Sequence, residues 1–314
     1  MQFEDNLTRL DGQRIITSVS GGKDSTATCL HLKEKGIPFE AVFMDTGWEA
    51  KQTYAYLRDE LPSIIGPIRW LRAEVDLPPD KEALALEIEA MLGHYSAMAR
   101  LCIKKMMMPA RQVRWCTQAS KVEPMHKWID SLDESVVSVV GIRHDESEAR
   151  KKMDEWEWSD KLDYWTWRPI IRWTMDDVVA IHARHGLSPN PLYLQGASRV
   201  GCWPCIFARK AEIRMIADSD PNRILVIQKL EAMIAELYRL TKERAGLAYK
   251  PPTWFQHNSE RTPDMAETGY AWPIDRVVEW SRTARGGRQV ELFTAPPRDT
   301  GCMRWGLCDT GTTD

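Results

Sequence analysis

Arg14–Val19 (RIITSV), a short run rich in β-branched residues, passes directly into Ser20-Gly21-Gly22-Lys23-Asp24-Ser25, and a helix-forming stretch follows at once. A strand that enters a helix through paired glycines makes an anion site. The glycines let the backbone approach, the first-turn amides point at the anion, and Lys23 adds a full positive charge. The spacing differs from a Walker A loop, which has four residues between its first glycine and the Gly-Lys pair. The same alternation continues along the chain, with helical character over 25–35, 51–61 and 81–91 and short apolar strands over 39–44, 68–71 and 136–140. Strands of this kind are buried on both faces. The pattern predicts an α/β class, a doubly wound, mainly parallel sheet with ligands beyond the carboxyl ends of the strands, followed by a helical and irregular C-terminal region.

The segment 145–167 breaks the alternation. About half its residues are charged, and it carries the alternating pairs Trp156/Trp158 and Trp165/Trp167, so it reads as an inserted hairpin or flap. Beyond it, 173–185 predicts a helix with Thr174 as N-cap, Asp176 and Asp177 in the first turn and Gly186 closing it. A long helix is expected over 222–245, and the remainder is rich in proline and glycine. The division this suggests is a nucleotide-binding domain over 1–195, including the flap, with a cysteine-bearing region over 196–314 packed on it.

Residues 20–25, SGGKDS, are identified as the PP-loop of the ATP pyrophosphatases, and collinear motifs resemble the phosphoadenosine phosphosulfate (PAPS) reductase-like branch. They are Asp45-Thr46-Gly47 ending the second strand, Gly141-Ile142-Arg143 with Asp145-Glu146-Ser147, the run 168–174, Asn190-Pro191-Leu192-Tyr193, and the run 199–205. The resemblance implies that Ser20, Gly21, Gly22, Lys23, Asp24 and Ser25 hold the phosphates of ATP. It places Met44 and Asp45 by the nucleoside and Gly141 and Arg143 opposite. It implies cleavage of ATP to AMP and pyrophosphate, with an acceptor adenylylated and then attacked by a sulfur or nitrogen nucleophile. Lys23, Asp24 and Arg143 are the expected catalytic residues. Mg²⁺ neutralises the departing pyrophosphate, and Asp24 or Asp45 is the candidate ligand.

Seven cysteines in a chain whose start lacks a secretory signature predict thiols or metal ligands in the cytoplasm rather than a disulfide framework. Cys202-Trp203-Pro204-Cys205 suits zinc, an iron–sulfur cluster or a redox dithiol. Cys116, with Lys121 close behind, resembles the segment in which adenylylsulfate reductases carry a tandem cysteine pair for a [4Fe–4S] cluster. Here Thr117 stands in the second place, so Cys116, Cys202 and Cys205 need a fourth ligand, with Cys308 preferred over Cys302. Zn²⁺ is the alternative metal. Cys29 and Cys102 read as core residues.

The net charge of −3 gives no global field for nucleic acid, so such binding requires a local patch. The run from Arg100 to Lys121 holds six basic residues and no acid. Several tryptophans lie beside arginines, a pairing suited to single-stranded nucleic acid or DNA. The E-C-G-[LI]-H segment of sulfonucleotide reductases does not occur, which favours ATP-dependent sulfur transfer over PAPS reduction. The Gly-Cys-Trp-x-Cys pattern also resembles the Fe–S PP-loop component of DNA phosphorothioation systems. The expected partners are a nucleotide, nucleic acid and a sulfur-donor protein such as a cysteine desulfurase. No apolar run is long enough to span a membrane. The alternatives are a sulfonucleotide reductase and a regulatory nucleotide-binding module.

Overall fold

The computed structural model describes residues 8–110, 113–160, 162–244, 252–256 and 271–283. Six strands form its main sheet: β1 (Arg14–Val19), β2 (Glu40–Asp45), β3 (Ile68–Arg72), β4 (Val136–Val139), β5 (Trp156–Ser159) and β6 (Tyr164–Trp167). Their order is β3-β2-β1-β4-β6-β5. All neighbours run parallel except β5, which lies antiparallel to β6 at one edge. β1 is central, with Thr17 opposite Ala41 on one side and Val139 on the other. The order reverses direction between β1 and β4, which opens a crevice at the carboxyl ends of these strands.

Both faces are covered because side chains alternate across the strands. Ala41 and Phe43 of β2 pack with helices α1 (Lys23–Glu34), α2 (51–65) and α6 (Met175–Arg184). Val42 and Met44 point the other way, onto Met125 and Ile129 of α5 (115–130). Two helices are not α-helical throughout. α2 contains a π-helical stretch at Tyr56–Glu60, and α5 contains one at Gln118–Val122. α6 starts as its sequence predicts: Thr174 accepts from the Asp177 amide, the Asp177 carboxylate accepts from the Thr174 amide at 2.7 Å, and Gly186 follows at φ +60°.

The 145–167 segment is not the inserted flap that its composition suggests. It contains a hairpin, β5–β6, but the hairpin is no separate flap, because β6 pairs with β4 as a strand of the main sheet and Tyr164 and Trp167 are buried. Its alternating tryptophans form a cross-strand ladder on one face, with Trp156 stacked on Trp167 at 5.2 Å.

A second core lies among α3 (Pro79–Leu92), α4 (Ala97–Lys105), α8 (Lys210–Ser219), α9 (Pro221–Arg244) and α10 (Ile274–Ser281). It joins Trp48 and Ile88 to Trp203, Ile227 and Val277, so the hydrophobic interior crosses the expected boundary at residue 195. A small ribbon, β7 (Phe255–Gln256) with β8 (Ala271–Trp272), borders it. Among the described residues no helix is long and apolar enough to cross a membrane.

Candidate nucleotide site

The loop after β1 is closed by its own serines. The Ser25 hydroxyl accepts from the Ser20 amide at 3.1 Å, donates to the Gly22 carbonyl at 3.0 Å and lies 3.2 Å from the Ser20 hydroxyl. Gly21 sits at φ +71°, in the left-handed region where a side chain is strained. These contacts present the first turn of α1, whose leading amides have no partner within the helix, at the carboxyl end of the central strand.

Asp24, Lys23 and Arg143 converge at that turn. The Arg143 Nε donates to Asp24 Oδ1 at 2.5 Å, its fork reaches the Trp173 carbonyl at 3.3 Å, and its side chain is 3% exposed. Lys23 Nζ lies 3.4 Å from Asp24 Oδ2. Both carboxylate oxygens of Asp24 therefore face cations, which weakens its case as a Mg²⁺ ligand. Gly141 comes so close that a Cβ there would stand 2.6 Å from the Asp24 carbonyl oxygen. The sequence-predicted residues Ser20 to Ser25, Gly141 and Arg143 are thus brought together. Asp45 ends β2 and accepts from the Gly47 amide and the Tyr54 hydroxyl, both at 2.8 Å. The Met44 side chain is instead buried against Met125 and Ile129.

Two groups beside this site were not legible beforehand. Glu49 is 1% exposed and accepts from Thr46 at 2.8 Å and from Tyr54 at 3.1 Å. Tyr193, also buried, accepts from the Lys23 amide at 3.2 Å, and Lys23 Nζ stands 5.1 Å from its ring centroid. Nothing in the sequence marks Glu49 as an interior acid, whereas Tyr193 at least lies in a motif segment.

The thiols occupy a neighbourhood linked to Glu49. Cys202 bridges Glu49 in an isolated antiparallel contact, and the Trp203 amide donates to the Trp48 carbonyl at 2.8 Å. Burial pushes the Cys202 thiol up to about 12, with Lys121 pulling it down and Glu49, Cys205 and Cys116 adding to the rise. Burial lowers the Lys121 ammonium, but Cys202, Glu49, Cys205 and Cys116 outweigh it and hold its pKa above the ordinary lysine value. Cys116, Cys202 and Cys205 are therefore within electrostatic reach of one another, and their chemistry suits a soft metal or an iron–sulfur cluster. Their present arrangement does not close on one: among the described residues no three His, Cys, Asp or Glu side chains form a group able to hold a metal ion. Cys302 and Cys308 lie outside the described residues. Cys29 and Cys102 are fully buried, and burial raises both thiols, as core positions require.

The expected nucleic-acid surface divides. Arg100 is buried and held by Glu82 and Glu89 at 2.7 Å each, so it faces inward. Lys104, Lys105 and Arg114 remain exposed. Trp158 and Trp165 are exposed too, but they line a concavity of about 470 Å³ with Asp130, Asp133, Glu134 and Asp163, at the amino ends of β4 and β6. That is the opposite end of the sheet from the Ser20–Ser25 loop, and its carboxylates would repel a phosphate backbone.

The phosphoadenosine phosphosulfate reductase domain model matches residues 14–72 and 81–208. A relative in Escherichia phage 186, described as an uncharacterized 37.8 kDa protein in the gpa 5' region, is 33% identical over 94% of this chain and 96% of its own length. The adenosine 5'-phosphosulfate reductase of Deinococcus radiodurans is 25% identical over 56% of this chain and 60% of that protein. Among solved structures, a phosphoadenylyl-sulfate (PAPS) reductase from Candida auris, as a phosphate complex, is similar with a TM-score of 0.45 and 17% identity, covering 64% of this chain and 87% of that one.

Proposed function

Because the chain belongs to the phosphoadenosine phosphosulfate reductase family, we propose that its Ser20–Ser25 loop binds the phosphates of ATP and that the protein cleaves ATP between the α and β phosphates. The observation that carries this reading is the convergence of the α1 amides, Lys23 and Arg143 at one end of the central strand. An acceptor oxygen or nitrogen attacks the α phosphorus, the bond to the α,β-bridging oxygen breaks, and pyrophosphate leaves with the electron pair. Lys23 and the loop amides stabilise the charge that develops on it, a contribution of electrostatics rather than covalent chemistry. Arg143 fixes Asp24, and through it the first turn of α1. Mg²⁺ arriving with ATP would supply further charge neutralisation, with Asp45 the carboxylate less committed to cations than Asp24. A sulfur nucleophile then displaces AMP from the adenylylated acceptor. The acceptor we propose is nucleic acid held by Lys104, Lys105 and Arg114, and a sulfur-donor protein completes the reaction.

Cys116, Cys202 and Cys205, with Cys308 or Cys302, are the proposed ligands of a [4Fe–4S] cluster or of zinc. The nucleotide chemistry above uses none of them. Iron and sulfide analysis of anaerobically purified protein tests the assignment: four irons per chain support the cluster, and one zinc without iron replaces it.

The named reductase relatives favour a second reading, reduction of a sulfonucleotide to sulfite. Product analysis separates the two. AMP and pyrophosphate from ATP with an acceptor support the first, and ADP with phosphate refutes it; sulfite from adenylylsulfate or PAPS with a thiol reductant supports the second, and its absence refutes that one.

A further inference from the structure

We propose that Tyr193 couples occupancy of the phosphate loop to the turn carrying Cys202 and Cys205. This rests on the reading that the Ser20–Ser25 loop binds nucleotide phosphates.

The Lys23 amide is one of the first-turn donors of α1 that lack an intrahelical partner. Here it donates to the Tyr193 hydroxyl at 3.2 Å. A phosphate oxygen drawn to this helix end competes for the same amide. Tyr193 cannot yield by swinging into solvent, because it is only 4% exposed and its ring lies beneath the Lys23 ammonium. Its short helix α7 (Pro191–Leu194) is fixed at the start by Asn190, which accepts from the Leu192 amide at 3.1 Å and donates to Thr53 at 3.3 Å.

The other side is more compliant. The Val200 backbone hydrogen-bonds the same tyrosine hydroxyl. A Cβ placed on Gly22 would find the hydroxyl at 3.5 Å and the Val200 carbonyl at 3.6 Å, so the loop, the tyrosine and this segment meet at one point. Residues 195–209 contain no helix or named strand, and such segments shift more readily than packed elements. Two residues past Val200, Cys202 is bridged to Glu49, and the Trp203 amide is tied to Trp48. When a phosphate takes the Lys23 amide, the displaced hydroxyl carries Val200 with it, and the movement reaches the thiol turn.

The test uses the full chain purified anaerobically. Alkylation of Cys202 and Cys205 is followed by mass spectrometry with and without saturating Mg-ATP, while ATP binding is measured by calorimetry. Wild type should change its alkylation rate roughly fivefold when ATP binds, the low end of ordinary site-to-site coupling. Ser198→Ala, whose hydroxyl donates to Glu212 at 2.7 Å away from the loop, should respond equally. Tyr193→Phe, which keeps the ring, should still bind ATP but show the same alkylation rate with and without it. A response retained in Tyr193→Phe, or absent from wild type that binds ATP, overturns the coupling alone. Should Tyr193→Phe fail to fold, an unresponsive wild type that binds ATP still overturns the coupling. Failure of wild type to bind ATP overturns the phosphate-loop reading and the coupling with it.

Discussion

Replacing Gly141 by alanine inserts one methyl group between the end of β4 and the first turn of α1. An ideal Cβ at that position would stand 2.6 Å from the Asp24 carbonyl oxygen and 2.8 Å from both the Asp24 carbonyl carbon and the Ser25 Cα. These are backbone atoms, so no rotamer change relieves the overlap, and the gap must open by about 0.8 Å to reach ordinary contact. The body of α1 is held by fully buried Leu30 and Leu32, so the strain falls on its first turn, the part proposed to bind phosphate. Overpacking of this kind costs about 1–3 kcal/mol, which lowers the unfolding midpoint by roughly 2–5 °C in a chain of 314 residues. Displacement of reacting groups by close to 1 Å costs on the order of 100-fold in turnover. Steady-state pyrophosphate release and thermal unfolding measure both, a calorimetric ATP titration adds the affinity, and Gly201→Ala is the control, since a Cβ there meets nothing within 4 Å. Gly141→Ala with wild-type ATP affinity and an unchanged midpoint would refute the reasoning.

Arg143→Gln leaves the Asp24 carboxylate in a nearly closed site with Lys23 as its remaining cation; urea unfolding should show a loss of about 3–5 kcal/mol, and Asp24→Asn in the same chain should recover much of it. Glu231, 7% exposed, accepts from the Trp254 and Ile274 amides at 2.9 and 3.0 Å, and burial pushes its pKa up to about 7. A carboxyl raised in the fold contributes most below its ordinary pKa and loses that contribution as pH rises through 7. Stability should therefore fall by up to about 3 kcal/mol between pH 5 and 8, and Glu231→Gln should flatten that part of the profile. Reversing Lys104 and Lys105 to glutamate should reduce the salt slope of single-stranded DNA binding by about 1–2, as expected for two lost phosphate contacts. Trp158→Ala should leave that binding unchanged, since its neighbours are acidic; filter binding across a salt series checks both.

The strand and helix succession of the nucleotide half was legible because each element carries its own local signal. Short apolar strands alternate with helix formers, glycines mark the turns, and Thr174 with Asp177 caps α6. The glycine turn from β1 into α1 was legible for the same reason, since strand, glycines and lysine are contiguous. The β5–β6 hairpin was misjudged because its charge and alternating tryptophans look the same on an exposed flap and on a sheet edge; only the pairing of β6 with β4 distinguishes them. Arg100 was misjudged in a similar way. A run without acids reads as a basic surface, yet the acids that bury it, Glu82 and Glu89, come from the preceding helix. Glu49 and Tyr193 owe their positions to contacts between segments far apart in the chain.

The π-helical stretch in α5 has a consequence for sequence alignment. In a regular α-helix, residues five apart point about 140° away from each other, so Cys116 and Lys121 would face different surroundings. The wider turn at Gln118–Val122, whose following amide at Glu123 bonds back five residues to the Gln118 carbonyl, brings such positions toward one side. What a cysteine and a lysine at this spacing share is angular phase, and one inserted residue sets it. A relative lacking that residue would space the two positions four apart on a regular α-helix, about 40° from each other and still on one side, so comparisons across this helix should count turns as well as letters.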